Sequence, residues 1–307
     1  MPSLYTHIDS NKRKTWLLMS VFFVVVMLVG FVFSQAMETP VILYFAVAFS
    51  LVSSFVSYWW SDKIVLSMSN AKPVTFENNR ELYRLVENLC ITAGLPIPKI
   101  YIIHDASPNA FATGRDPEHA AIAMTTGLLD KLDKSELEGV IAHELSHIGN
   151  RDILIATIAT VMVGIIVLLA DWFMRWSIFG GRSSRSSGKE SGQAQLIITI
   201  AAIVLAILAP LFAYMLQFAI SRKREFLADA DAAMLTRYPE GLARALEKIA
   251  GDPKPMDNAS KATAHLYISS PFKNDRRGAK KPGFFAKALM THPPVEERIA
   301  ALRGQNI

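Results

Sequence analysis

The sequence predicts an α-helical membrane protein that carries a mainly α soluble domain with a small β-sheet. Three observations carry that prediction. Apolar residues make up 51% of the 307, and the excess is gathered into blocks long enough to cross a bilayer. Between the blocks, apolar residues recur at helical spacing. One stretch alone shows short β-rich runs broken by Pro and Gly.

The first two blocks, residues 16–33 and 41–60, hold about 18 and 20 residues, and residues 1–60 read as an N-terminal anchor with two transmembrane helices. The first block is expected to be retained: its apolar stretch exceeds a signal-peptide h-region, and no small-residue cleavage site precedes Glu38-Thr39-Pro40. Two further runs, 153–170 and 196–218, have similar length. Asp171 closes one and Pro210 sits inside the other, so 153–220 reads as a hydrophobic hairpin, transmembrane or membrane-embedded. Lys12, Arg13 and Lys14 precede the first run, whereas the loop 34–40 has no basic residue, which places the N-terminus in the cytoplasm. Both soluble segments, 61–152 and 221–307, follow to that side, in agreement with Arg222, Lys223 and Arg224. Arg182, Arg185 and Lys189, in the Gly/Ser-rich linker 180–195, would face outward if the hairpin spans.

Within the first soluble segment, Leu82, Leu85, Val86, Leu89 and Cys90 predict an amphipathic helix over 80–95, ended by Gly94 and Pro96. Residues 99–104, 109–113 and 120–125 predict three short strands. Ser135 and Glu138 have capping-box spacing, so a helix is expected to start there and carry Leu137, Val140, Ile141, Leu145 and Ile148 inward. Beyond the hairpin, 225–236 and 239–250 favour helix, 252–281 is rich in Pro, Lys, Asn and Ser and reads as a mobile segment, and 295–302 as a last short helix.

The net charge of +5 comes from basic residues beside the apolar runs and in 273–281, which makes an anionic bilayer surface the expected partner. Nucleic acid is excluded as a partner, since no basic stripe interleaves with aromatics. Cys90, the single cysteine, sits at an apolar helical position, which excludes an intramolecular disulfide or a multi-cysteine metal site. No sequence feature specifies an oligomeric state.

The helix expected from residue 135 carries His143-Glu144-Leu145-Ser146-His147. Residues four apart share a helix face, so both imidazoles can grip one Zn²⁺ while Glu144 reaches a water on it as general base. Gly139, one turn earlier, either leaves room for metal and substrate or fills a packing gap. A catalytic zinc takes a third protein ligand. The spacing H-E-x-x-H-x-x-G-x-x-H fails, because Asn150 and Ile153 occupy the Gly and His positions. Among later carboxylates, Glu225 stands at the mouth of the fourth run as His147 stands at the mouth of the third, and Asp229 follows one helical turn on, placed to bond the second nitrogen of a ligand histidine. The competing reading of Glu225 is a surface ion pair with Arg222 or Arg224. His7, His104, His119 and His265 lack partner spacing and read as structural or exposed.

Four stretches together resemble the HtpX heat-shock membrane proteases, of the gluzincin group that also includes the CAAX prenyl proteases. They are Asn109-Ala110-Phe111-Ala112-Thr113-Gly114, the pentad with Gly149-Asn150-Arg151-Asp152, Ser221 through Asp229, and His292-Pro293-Pro294. The resemblance implies an α-helical membrane protein with a mainly α cytosolic gluzincin-type zinc metalloprotease domain containing a small β-sheet. It implies one Zn²⁺ per chain on His143, His147 and Glu225, Glu144 as general base and Asp229 behind a ligand. It further implies that 109–114 is an edge strand on which an extended substrate pairs, through Asn109, Ala110, Phe111 and Ala112. His292 or Arg222 would steady the charge that develops on the carbonyl oxygen. The activity implied is quality control of misfolded or damaged proteins in a bacterial-type inner membrane under stress, with membrane proteins or unfolded polypeptides as substrates.

Rival readings are intramembrane proteolysis, prenyl-protein cleavage, and a proteolytically silent holdase or scaffold with an inert metal site. The first is disfavoured because the pentad precedes the third run instead of interrupting it, and prenyl cleavage because four spans enclose too little. Binding without cleavage in a zinc-supplied protease assay would mark the scaffold.

Overall fold

The computed structural model describes residues 4–36, 38–179, 222–257, 259–260, 262–272 and 293–304. The fourth apolar run, the linker 180–195, the basic cluster 273–281 and His292 lie outside them.

Helix α1 (Leu4–Ala36) and α2 (Val41–Met68) form an antiparallel pair, each long and apolar enough to cross a membrane. The face of α2 that turns inward is built of Ala46, Ser50, Ser53, Ser57 and Ser61. Such small side chains let helix backbones approach closely. At Gly30 of α1 the approach is so tight that any Cβ would collide with that of Ala46. The other face of α2, from Val41 and Phe45 to Trp59 and Trp60, is exposed apolar surface, as a lipid-facing stripe should be.

The chain then enters the soluble part. Strand β1 (Lys72–Pro73), which the sequence pattern does not show, is followed by α3 (Arg80–Ala93). Asn79 caps α3 by accepting from Leu82 N, and Gly94 ends it at φ 65°, where a residue without Cβ is unstrained. Its buried stripe includes Cys90, whose thiol is pushed up to about 11 by burial. Strands β2 (Lys99–Ile103), β3 (Ala110–Gly114) and β4 (Ala120–Thr125) complete a sheet of order β1-β2-β4-β3. β4 runs parallel to β2 and antiparallel to β3, which leaves β3 at the edge.

After the short α4 (Thr126–Lys131) comes α5 (Lys134–Gly149), the helix that carries the pentad. Its capping box lies two residues before the expected one: Asp133 accepts from Glu136 N and Glu136 answers to Asp133 N. Ser135 bonds Asp133 and is already inside the helix. Glu136 is fully buried and neutralised by Lys248 at 2.6 Å and Arg244 at 3.1 Å. Gly139 serves packing, since a Cβ there would stand 2.7 Å from Leu242 N of a neighbouring helix.

Helix α6 (Asp152–Phe179) is the third element able to cross a membrane and the most deeply packed of the three, joining Leu18, Met19 and Phe22 of α1 through Leu154, Ile158, Met162 and Ile166. The described chain resumes with α7 (Arg222–Thr236), α8 (Pro239–Gly251) and α9 (Val295–Gly304). Their apolar faces join α3, α5 and the sheet in one core, so the segments 61–152 and 221–307 share one core although residues 153–220 separate them in sequence. The stretch after α8, expected to be mobile, is instead packed as far as it is described. Met256, His265, Tyr267 and Ile268 are buried, and Tyr267 sits edge-on to Phe111 at 5.0 Å. Its polar composition masks four well-spaced anchors.

Candidate metal centre

Helix α5 brings His143 and His147 onto one face, and their Nε2 atoms converge at 3.2 Å. Each Nδ1 meets a carboxylate: Asp229 at 3.0 Å for His143, Asp152 at 3.1 Å for His147. Each carboxylate can therefore accept from Nδ1, and in the neutral form both imidazoles aim the Nε2 lone pair at the same point. Asp152 reaches its histidine because Arg151 adopts a left-handed φ of 56°, which swings α6 off the end of α5 and folds the next residue back under His147. Glu225, on the first turn of α7, places Oε1 3.5 Å from His147 Nε2 and Oε2 4.0 Å from His143 Nε2. Asp229 lies one turn further along the same helix, and both carboxylates are buried.

These three donors form a group able to hold a metal ion. Ligands about 2.0–2.1 Å from a tetrahedral centre stand about 3.3 Å from each other. The observed spacings bracket that value, and two neutral imidazoles with one carboxylate are a donor set that zinc accepts. The surroundings are anionic as well. Enclosure disfavours charge on His147, but the Asp152 hydrogen bond and the Glu225 charge outweigh it and push the imidazole up to about 9.

Glu144 is 2% exposed; burial raises its pKa above the usual carboxylate range, and the charges of His143 and His147 offset part of the rise. The backbone of Ala112 on β3 faces its carboxylate and favours the charged form. That contact follows from strand phase. Thr125 N donates to Asn109 O, so residues 110, 112 and 114 of β3 turn their N–H and C=O away from β4, toward the open edge. The edge is partly taken: Ala110 O accepts from Ile268 N, and Thr157 Oγ1 holds Gly114 N. Asn109 bonds Ser269 O, and Phe111 is fully buried. Of the four residues expected to contact a substrate, Ala112 alone lines the cavity over the cluster. That cavity has about 40 Å³, room for a few waters, and His265, Leu266 and Ile268 form one wall.

The profile of Peptidase family M48 matches residues 77–306, and curated relatives match over nearly the whole chain. The chain belongs to peptidase family M48. "Protease HtpX homolog" of Dictyoglomus turgidum is 44% identical over 304 residues, covering 98% of this chain and 94% of its own. The protein of the same name from Listeria monocytogenes serotype 4a is 45% identical over 312 residues, covering 98% and 99%. The crystal structure of S. mikatae Ste24p aligns over 96% of this chain and 66% of its own, at 20% identity and a TM-score of 0.49. With three helices among the described residues long and apolar enough to span a bilayer, this M48 chain is a membrane metalloprotease.

Two residues of the M48 site escaped the sequence reading. Arg298 of α9 is fully buried and grips Asp229 with Nε at 2.8 Å and Nη2 at 2.6 Å, while Nη1 stands 3.5 Å from Glu225. Burial alone would lower its pKa, but Asp229 and Glu225 hold it above the ordinary arginine value. In turn, burial would raise Asp229, and Arg298 and His143 keep it below its ordinary value. The available signal was placement: Arg298 lies between Val295 and Leu302 on the inward face of a short helix, where an unpartnered charge is costly. Asp152 is the second. It also bonds Arg224 at 3.1 Å and Asn11 of α1 at 2.8 Å. Arg224 lines the cavity and Arg222 does not, so the arginine in the cavity wall stands two residues on from the one expected. His265, set aside by the sequence reading, stands in the cavity wall with Thr160 Oγ1 2.9 Å from its Nε2.

Proposed function

We propose that this M48 protein is a zinc endopeptidase that cuts misfolded or damaged membrane proteins and unfolded polypeptides at the cytoplasmic face of a bacterial-type inner membrane. One observation carries the reading: two imidazole nitrogens stand 3.2 Å apart and the Glu225 carboxylate approaches them at 3.5 and 4.0 Å, near the spacing of tetrahedral ligands, with the Glu144 carboxylate on the same helical turn. The relatives named as HtpX proteases support peptide-bond cleavage. The basic residues Lys12, Arg13 and Lys14, inside α1 and just ahead of its apolar run, support the cytoplasmic face.

His143, His147 and Glu225 would hold the metal, and Asp229 and Asp152 would fix the two imidazoles. Zinc bound there supplies a Lewis acid that acidifies water and polarises a carbonyl. Glu144 takes the proton from the attacking water and hands it to the departing amine. An extended substrate would pair with β3 at Ala112, because Ala110 O is already engaged by Ile268 N and Gly114 N by Thr157 Oγ1.

Glu144→Gln is expected to keep zinc and lose cleavage of casein or a membrane substrate by at least about 10²-fold. Glu225→Ala is expected to lose zinc. An active Gln variant would refute the assigned base, and full zinc occupancy in the Ala variant would move the third ligand elsewhere. Comparing the proteomes of membranes that hold the active protein or the Gln form would identify substrates.

A further inference from the structure

We propose that a pocket between the end of α2 and one end of the sheet binds the phosphate of an anionic glycerophospholipid headgroup through Lys63, Lys99 and Arg115, against Trp59 and Trp60. The pocket has a volume of about 310 Å³ and is remote in sequence from the pentad.

Depth in the membrane is the first argument. The exposed stripe on α2 runs from Val41 through Phe45, Val52 and Phe55 to Trp59 and Trp60. At 1.5 Å per residue, that length is about 28 Å, close to the roughly 30 Å of a bilayer's hydrocarbon core. If Val41 sits at one boundary, the tryptophans sit at the other, where aromatic side chains gather. Lys63 is one turn beyond, level with the headgroups.

Topology supplies the second. Lys99 opens β2, Arg115 follows β3, and His119 precedes β4. The registers Lys99↔Ala121 and Gly114↔Ala120 put all three at one end of the sheet. The guanidinium carbon of Arg115 lies 4.7 Å from the Trp59 ring centroid, which fastens that end to α2.

Charge is the third. Lys63 and Lys99 have no carboxylate within ion-pair distance among the described residues, and Arg115 has Asp116 at 3.5 Å. Asp116 is shared with His119 at 2.6 Å, and Asp62 also lines the pocket, so the cations outnumber the acids on its walls. Phosphate matches the cations. The walls contributed by Phe55, Trp59 and Trp60 match the glycerol and first methylenes of a lipid, and free phosphate would leave them uncovered.

The test uses the full-length chain as the Glu144→Gln variant, to suppress self-cleavage, in nanodiscs of phosphatidylcholine with or without phosphatidylglycerol. Native mass spectrometry reads how much phosphatidylglycerol stays bound after release from the disc. The expected result is retention of phosphatidylglycerol at least tenfold over phosphatidylcholine, reduced tenfold or more by Lys63→Gln/Lys99→Gln/Arg115→Gln, with no competition from added inorganic phosphate. Should the triple variant fail to fold, Lys99→Glu alone, at an exposed strand end, is expected to cut retention at least threefold. Equal retention of both lipids, unchanged retention in the variants, or displacement of the lipid by inorganic phosphate would each overturn the proposal, the last by showing a free-anion site.

Discussion

His143 and His147 sit one turn apart on α5 and carry the same device, an imidazole backed by a carboxylate backed by an arginine, yet the two arms are anchored in different parts of the molecule. His143, Asp229 and Arg298 are each no more than 2% exposed in their side chains, and their partners come from α7 and α9 in the soluble core. His147, Asp152 and Arg224 are 16, 11 and 12% exposed, and Asp152 stands at the root of α6, tied to α1 through Asn11. One ligand is therefore positioned by core packing and the other by where the membrane helices begin. The cluster assembles only when both parts are in register.

That asymmetry predicts unequal costs. Arg298→Met leaves Asp229 and Glu225 as buried carboxylates without their counter-charge and is expected to cost about 3–5 kcal/mol, whereas Arg224→Met, nearer solvent, should cost about 1 kcal/mol or less. Thermal unfolding of the full chain in detergent reads both, and equal costs would break the distinction. Next come the carboxylates. Asp229→Asn and Asp152→Asn should each weaken zinc binding by about 10- to 100-fold, with Asp229 toward the upper end because no water can replace it. Chelator competition measures this, and a larger loss at Asp152 would reverse the ranking of the arms.

Smaller effects sharpen the picture. Asn11→Ala removes bonds to Asp152 and to Asn150 O, and should cost about 1 kcal/mol while raising the zinc off-rate through the His147 arm alone. Combined with Asp152→Asn it should add little further, while with Asp229→Asn the effects should sum. Asp133→Ala uncaps the helix that carries both arms and should cost about 1 kcal/mol without favouring either. Ser135, the Glu136 N–H and Arg244 hold the Asp133 carboxyl below its ordinary pKa. The sign follows: a depressed folded pKa stabilises the protein above the ordinary aspartate value of about 4 and ceases to do so as pH falls. Melting temperatures of the Asp133→Ala variant and the parent should therefore converge in acid, and a gap that widens there would sink the assignment.

Much of the site was legible because it is local. Two histidines four apart with a glutamate between them share a face on any α-helix, and the pattern of α3 or the run of β4 is visible within a dozen residues. The misplaced cap shows how narrow that legibility is. Ser135 with Glu138 and Asp133 with Glu136 have the same spacing, and what decides between them is the pair of half-exposed cations, Arg244 and Lys248, that receives the buried Glu136 from more than 100 residues away. The segment after α8 misled for the opposite reason: its composition is that of a loop, yet Ile268 N completes the edge of β3 and Tyr267 packs on Phe111.

By itself, then, the sequence determined the apolar blocks, the pentad and the pairing of Glu225 with Asp229, since each depends on periodicity within one helix. Long-range packing placed Arg298 behind Asp229, Asp152 beneath His147 and the backbone of Ala112 against Glu144. Those placements depend on how separate helices and a strand edge meet. A buried charge can settle only where distant partners neutralise it, and no short window of sequence contains those partners.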